Sequence, residues 1–168
     1  MKLALATFDD VNSVLAIMDM ARAYQRSLGF KQWEDDYPNR AIIEADILSG
    51  NAYIFTLNNQ IVGYAVLPIG DSAYDSMINT WIYEGRYGVV HRLALNDYIR
   101  GKGYSSILFE LIEDYFNSQG IYLIRIDTGE ENKVMQRIMD SCGYQTRGVR
   151  TFPWGKRIAY EKNLKTYD

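Results

Sequence analysis

The chain has 168 residues with 18 Lys and Arg against 21 Asp and Glu, a formal charge of −3; it is long enough for one domain with a real core and lacks the basic surplus of a general nucleic-acid binder. A lone cysteine, Cys142, excludes an internal disulfide framework and suits a reducing cytosol. No apolar run approaches membrane-span length, and the apolar start is cut off by Asp9 and Asp10, too early for a signal peptide, so the expectation is a single cytoplasmic domain over residues 1–168.

Residues 2–6 read as a first strand. Thr7 offers an N-cap with Asp10 three residues on, and Val11, Val14, Leu15, Met18 and Ala21 recur at helical spacing, which predicts a helix over residues 8–28 ended by Gly29. Residues 33–38, Trp-Glu-Asp-Asp-Tyr-Pro, form an aromatic and acidic loop. Asn39 caps a second helix marked by Ile42, Ile43, Asp46 and Ile47 and stopped by Gly50. Residues 52–57 and 60–67 are strands joined through Asn58-Asn59, a hairpin signal because asparagine tolerates left-handed turns. Residues 70–85 carry no clear periodicity.

A fourth strand is expected over residues 86–95. A third helix spans residues 103–118, with Leu108, Leu111, Ile112 and Tyr115 on its buried face. A strand over residues 121–127 and a helix over residues 132–141 follow, the latter stopped by Gly143. Residues 144–148 and 157–162 make a closing hairpin around Pro153-Trp154-Gly155. The fourth strand, third helix and fifth strand form a right-handed crossover, so those two strands should be parallel. Ligands in such sheets bind beyond the C-terminal strand ends, where Leu95 and Asp127 lie.

Just past Leu95, the run Arg100-Gly101-Lys102-Gly103-Tyr104-Ser105 opens the third helix. Glycines let a ligand approach the backbone, the first helical N–H groups have no partner inside the helix, and the dipole favours an anion. Arg100 and Lys102 add positive charge. The Gly-x4-Gly-Lys-Ser/Thr spacing of a nucleotide-phosphate loop is absent.

The pattern Arg-x-x-Gly-x-Ser resembles the Gln/Arg-x-x-Gly-x-Gly/Ala signature of the GNAT superfamily of N-acetyltransferases, and the likeness covers almost the whole chain. Asn132 opening a helix and Gly143-Tyr144 closing it are similar to the family's next motif. The resemblance implies an α/β fold: a mixed central sheet of about seven strands flanked by about four helices, with strands four and five splayed. It implies acetyl-coenzyme A as donor, without a metal, and a small-molecule or peptide amine as acceptor. Neither nucleic acid nor membrane is a partner; a homodimer, common in the family, is proved by no residue. Backbone groups of Leu93, Ala94 and Leu95 would pair with the pantetheine arm as an added strand. Backbone N–H groups from Arg100 to Ser105 would hold the pyrophosphate, and Asn132 would reach the pantetheine.

Transfer to an amine needs a base, since an alkylammonium pKa is about 10.4. His91, the only histidine, titrates in a suitable range; by alternation it shares a face with Val89 and Leu93. It stands one same-face step from Val89, where the family often places an acidic base. The other reading of His91 is a packed, hydrogen-bonded strand residue. Glu84 is a second candidate base, or a solvated surface carboxylate. The tyrosine that many members carry as general acid falls at Met139, whose thioether cannot donate a proton. Cys142 reads as a small buried hydrophobe more readily than as a nucleophile. Trp33 and Tyr37, with the acidic run between them, would form an acceptor wall that attracts an ammonium group, or an ordinary loop anchored by an aromatic. Asp127 would orient the acceptor, Thr128 would cap the next helix, and Trp154 and Arg157 would close the pocket or meet a second subunit. The same residues permit a non-catalytic acyl-coenzyme A module.

Overall fold

Thr7 and Asp10 begin the first helix as a reciprocal pair. In this computed structural model, which describes residues 1–165, the Asp10 carboxylate accepts from the Thr7 amide at 2.8 Å and its hydroxyl at 3.0 Å. In chain order the elements are β1 (Lys2–Leu5), a 3-10 turn (Phe8–Asp10), α1 (Val11–Ser27), α2 (Arg40–Leu48), β2 (Ala52–Leu57), β3 (Gln60–Val66), α3 (Ser72–Asp75) and β4 (Tyr87–Val89). They continue with β5 (His91–Leu95), α4 (Ser105–Ser118), β6 (Leu123–Thr128), α5 (Lys133–Ser141), β7 (Gln145–Phe152) and β8 (Gly155–Asn163).

These elements fall into two units. The first comprises residues 1–67 and 91–108, the second residues 68–90 and those from Phe109 on. In the first unit, β1, β2, β3 and β5 form one antiparallel sheet in that order. The β2–β3 turn is built as expected: Asn58 and Asn59 take φ of 50° and 62°, the left-handed pair such a hairpin requires. Asn39 caps α2 by accepting from the Ile42 amide at 3.1 Å. Val14, Ile17 and Met18 of α1 join Ile43, Ile54, Tyr64, Val66 and Ala94 in the core. Each such valine, isoleucine or methionine side chain contributes roughly 1.5–3 kcal/mol when fully buried.

In the second unit the order is β4-β6-β8-β7. β4 runs parallel to β6, with Tyr87 opposite Leu123, which is the parallel pairing the crossover demands. The closing hairpin β7–β8 adds antiparallel to β6 through β8. Gly88 is needed here, since a Cβ would stand 2.3 Å from the Phe116 ring of α4. Tyr74, Tyr87, Val89, Leu123, Phe152 and Ala159 form a core cluster.

The mixed α/β fold is present, with eight strands in two sheets and five helices among the described residues. The extra strand arises because the predicted fourth strand breaks at Val90. The Val90 amide donates to the Arg125 carbonyl at 3.3 Å, whereas β5 pairs with β3. The extra helix is α3, a single turn capped by the Asp71 carboxylate. α4 starts at Ser105, two residues later than its periodicity suggests, because Gly101 and Gly103 have φ of 73° and 80° and cannot continue a right-handed helix. Among the described residues, no helix is long and apolar enough to cross a membrane.

Candidate functional site

The turn between β5 and α4 is organised by Asn96. Its Oδ1 accepts from the Tyr98 amide at 2.8 Å, and its carbonyl accepts from the Ile99 and Arg100 amides, each at 3.2 Å. The Lys102 amide donates to the Ile99 carbonyl at 3.3 Å. Arg100 and Lys102 therefore do not offer their amides to an anion, which narrows the predicted cradle. Among the described residues none accepts from the amides of Gly101, Gly103, Tyr104 or Ser105. Left-handed residues alternating in a turn gather N–H groups into a concavity, and a helix N-terminus reinforces it. A Cβ added at Gly101 or Gly103 would meet no atom within 4 Å, so the space above the turn is open.

The two basic side chains differ. Arg100 donates to the Leu95 carbonyl at 2.7 Å, pairs with Asp97 and lies 4.1 Å from the Tyr24 ring centroid. It braces the turn against β5 and α1. Lys102 is exposed, with its ammonium 4.4 Å over the Tyr98 ring, and supplies positive charge beside the open amides.

β5 is the last strand of its sheet, so Leu93, Ala94 and Leu95 lie on a strand that can accept another at its edge. Ala94 stands opposite Tyr64 and Leu95 opposite Gly63, but His91 stands opposite Val66. β5 thus carries one residue more than β3 over this stretch, a bulge centred on Arg92, whose φ is 49°. The bulge corrects the alternation assumed for His91: by register it shares a face with Ala94, not with Leu93. His91 itself is half-buried at the start of β5.

The Trp33–Tyr37 loop belongs to the same unit. Trp33 packs against the core, and the Gln25 side-chain carbonyl accepts from the Gln32 and Trp33 amides at 3.2 and 3.3 Å. Arg22 donates to the Tyr37 and Pro38 carbonyls at 3.1 and 3.2 Å. The Tyr37 hydroxyl accepts from Arg92 at 2.9 Å, so the loop is tied to β5. The acidic run is less open to an ammonium than expected. Lys31 pairs with Glu34 at 2.8 Å, and Asp35 pairs with Arg26. Arg26 and then Lys31 hold the Asp35 carboxyl below its ordinary range.

In the second unit, Asp127 near the end of β6 is enclosed. Its carboxylate accepts from the Tyr74 hydroxyl at 2.5 Å and from the Trp154 indole at 3.1 Å, with the Arg157 guanidinium at 3.8 Å. Burial, then the Asp127 charge, pushes the Tyr74 phenol well above its ordinary pKa. The expected cap by Thr128 is not made. Thr128 ends β6 with its hydroxyl buried and without a partner among the described residues, and Asn132 caps α5 instead, accepting from the Met135 amide at 3.1 Å. Met139 is fully buried. Cys142 is half-buried and its thiol is pushed up by burial, the opposite of an activated nucleophile. Glu84 is exposed on the loop before β4. Among the described residues, no three His, Cys, Asp or Glu side chains gather to hold a metal ion.

Sequence reasoning passed over Arg92, Asp46 and Tyr74. The signal was present for the first two. Arg92 is a charge inside the apolar run Val89–Leu95, and Asp46 interrupts the Ile42-Ile43-Ile47 face of α2.

Residues 15–144 match the family model described as acetyltransferase (GNAT) family. A GNAT-family acetyltransferase from Streptococcus agalactiae 2603 is 30% identical, covering 98% of this chain and 96% of that chain with a TM-score of 0.87. One from Listeria monocytogenes 4b F2365 is 20% identical over 96% of this chain and 94% of that chain, with a TM-score of 0.75. The fold is also similar to aminoglycoside acetyltransferase AAC(6')-Ib in complex with coenzyme A and kanamycin: 21% identity, 96% and 94% coverage, TM-score 0.70. No curated protein sequence matches the chain.

Proposed function

The chain belongs to the acetyltransferase (GNAT) family, and from that premise we propose that it transfers the acetyl group of acetyl-coenzyme A to a primary amine of a small molecule or peptide. The observation that carries this reading is the turn from Gly101 to Ser105. Its unpartnered amides, open space and helix N-terminus suit a diphosphate. Lys102 adds charge there, and Arg100 holds the turn in shape. The edge of β5 at Leu93–Leu95 suits the amides of a pantetheine arm. Asn132 is assigned to the pantetheine and Asp127 to the acceptor by family resemblance. A lone cysteine suits a reducing cytosol.

Acetyl-coenzyme A supplies, when bound, an activated acetyl thioester. The chain must hold that donor and remove a proton from the acceptor ammonium. His91, at the start of the edge strand, takes that proton directly or through one water. Glu84, exposed on the loop before β4, is the second candidate. No acid is assigned to the leaving thiolate. Met139 cannot donate, and burial followed by a neighbouring carboxylate holds the protons on Tyr64, Tyr74 and Tyr144. A thiolate is a good leaving group and can depart unaided, thiols being far more acidic than amines or alcohols (a cysteine thiol has a pKa of about 8.5).

Met139 also supports a second reading, a non-catalytic acyl-coenzyme A module. Thiol release from acetyl-coenzyme A across an amine panel separates the two. The panel should hold kanamycin, simple diamines and peptides with free N-termini. Acceptor-dependent release with at least one amine is expected. Tight coenzyme binding with no acceptor-dependent release would replace the enzyme with the module.

A further inference from the structure

Arg92 combines three properties that acetyl transfer does not account for. It is a side-chain-bearing residue at φ 49° inside a strand, a conformation that such residues rarely adopt. It is the extra residue of a bulge, with three steps from His91 to Ala94 facing two from Val66 to Tyr64. Its guanidinium is mostly buried and grips two separate elements at once. Nε donates to Asp46 Oδ2 at 2.8 Å and Nη2 to Asp46 Oδ1, while Nη1 donates to the Tyr37 hydroxyl at 2.9 Å.

The grip is backed from behind. Asp46 on α2 is 7% exposed and also accepts from the Tyr64 hydroxyl of β3 at 3.0 Å. Tyr64 is fully buried, and burial with the Asp46 charge keeps its proton in place. Tyr64 itself belongs to a hydrophobic cluster with Ile43, Ile54 and Val66. A buried ion pair in such a setting stabilises a fold no better than apolar residues of the same volume. What a bidentate fork does supply is direction. Here it fixes α2, β3, the bulge of β5 and the Trp33–Tyr37 loop relative to one another, all within one unit.

We propose that Arg92 is a positioning residue: by holding Asp46 with one edge and Tyr37 with the other, it locks the acceptor-side loop onto the bulged strand that starts with His91, and so sets which amines the loop admits. The kinetic half of this proposal rests on the acetyltransferase reading; the structural half does not. Nothing in the hydrogen-bonding of the loop to α1, through Arg22 and Gln25, reaches β5. The Arg92 bond to the Tyr37 hydroxyl ties the loop to β5.

Tyr37→Phe tests this with little threat to folding, since it removes one hydroxyl and keeps the ring. In the full-length protein, amide hydrogen exchange over residues 33–38 should quicken about tenfold, the scale of one hydrogen bond to a charged group. The KM for the best amine of the panel should rise by a similar factor, with kcat within about twofold of wild type. Arg92→Lys keeps the charge but loses the fork, and should quicken exchange over both residues 33–38 and 91–94. Unchanged exchange in both variants overturns the proposal whatever the kinetics. Faster exchange with an unchanged acceptor KM overturns its claim on selection. If wild type releases no thiol with any amine, the acetyl-transfer reading fails on its own account, and exchange still decides whether Arg92 ties the loop to β5.

Discussion

Glu161 on β8 is fully buried and answers two arginines. Oε1 accepts from Arg125 at 3.3 Å, and Oε2 accepts from Arg147 and from the Ile82 amide, each at 3.0 Å. One carboxylate cannot neutralise two guanidiniums. The excess is met by aromatic faces, with Arg125 lying 3.9 Å from the Tyr87 ring centroid and 4.5 Å from that of Trp81. Glu161→Gln keeps the volume and removes the charge, leaving both arginines without an anion. The expected cost is about 3–5 kcal/mol, a fall of roughly 10 °C in Tm for a chain of this size. A shift below about 2 °C in thermal unfolding followed by circular dichroism would show that the aromatic faces suffice. None of these partners is close in sequence: Arg125 stands 36 residues from Glu161 and Ile82 stands 79. That is why residue types alone did not single them out. Asp127 was legible for the opposite reason, since its place at a strand end follows from local periodicity. Its partners Tyr74 and Trp154 lie 53 and 27 residues away, and only the fold brings them in.

Local chemistry made most elements legible. Asn39, the Asn58-Asn59 pair and Gly29 act where their stereochemistry requires, because caps and turns depend on a few neighbouring residues. The strand over residues 86–95 was legible as apolar but not as broken. Its break at Val90 and its bulge at Arg92 depend on two different partners, β6 for one half and β3 for the other. Alternation along one strand carries no information about a change of partner. The same limit moved His91 to another face. For the turn after β5, glycine spacing gave the location of the candidate anion site. Which amides remain open depends on Asn96 and Ile99, whose carbonyls take the Arg100 and Lys102 amides. The extra turn α3 went unread because four residues are too few for a helical period.

Across the whole molecule, the order of strands and helices was the strongest sequence signal, and the parallel pairing of β4 with β6 follows from it. Each unit, taken by itself, buries tyrosine phenols beside carboxylates. Burial first, then a carboxylate, raises the phenols of Tyr64, Tyr74 and Tyr144, beside Asp46, Asp127 and Glu113 respectively. Tyr87 is pushed up to about 12 by burial and its hydrogen bond to Asp75. A folded-state pKa above the unfolded value of about 10 gives stability that is complete below pH 10. Above that pH the unfolded chain releases protons that the folded chain keeps, so stability falls as pH rises. Of the 14 tyrosines, the exposed ones should ionise first in an alkaline titration. The buried set should ionise only in one cooperative step, together with loss of near-ultraviolet circular dichroism. Ionisation of all 14 near pH 10 with the fold intact would contradict the enclosed phenols.

The central claim is that open main-chain amides after β5 receive the diphosphate of acetyl-coenzyme A. Amide resonances of the nitrogen-15-labelled protein, followed while coenzyme A is added, test it at the atoms concerned. The amides of Gly101, Gly103, Tyr104 and Ser105 should move downfield together and saturate with one affinity, while those of Arg100 and Lys102, already bonded within the turn, move less. Saturable binding that leaves those four amides unmoved would place the coenzyme elsewhere and remove the ground for the proposed activity.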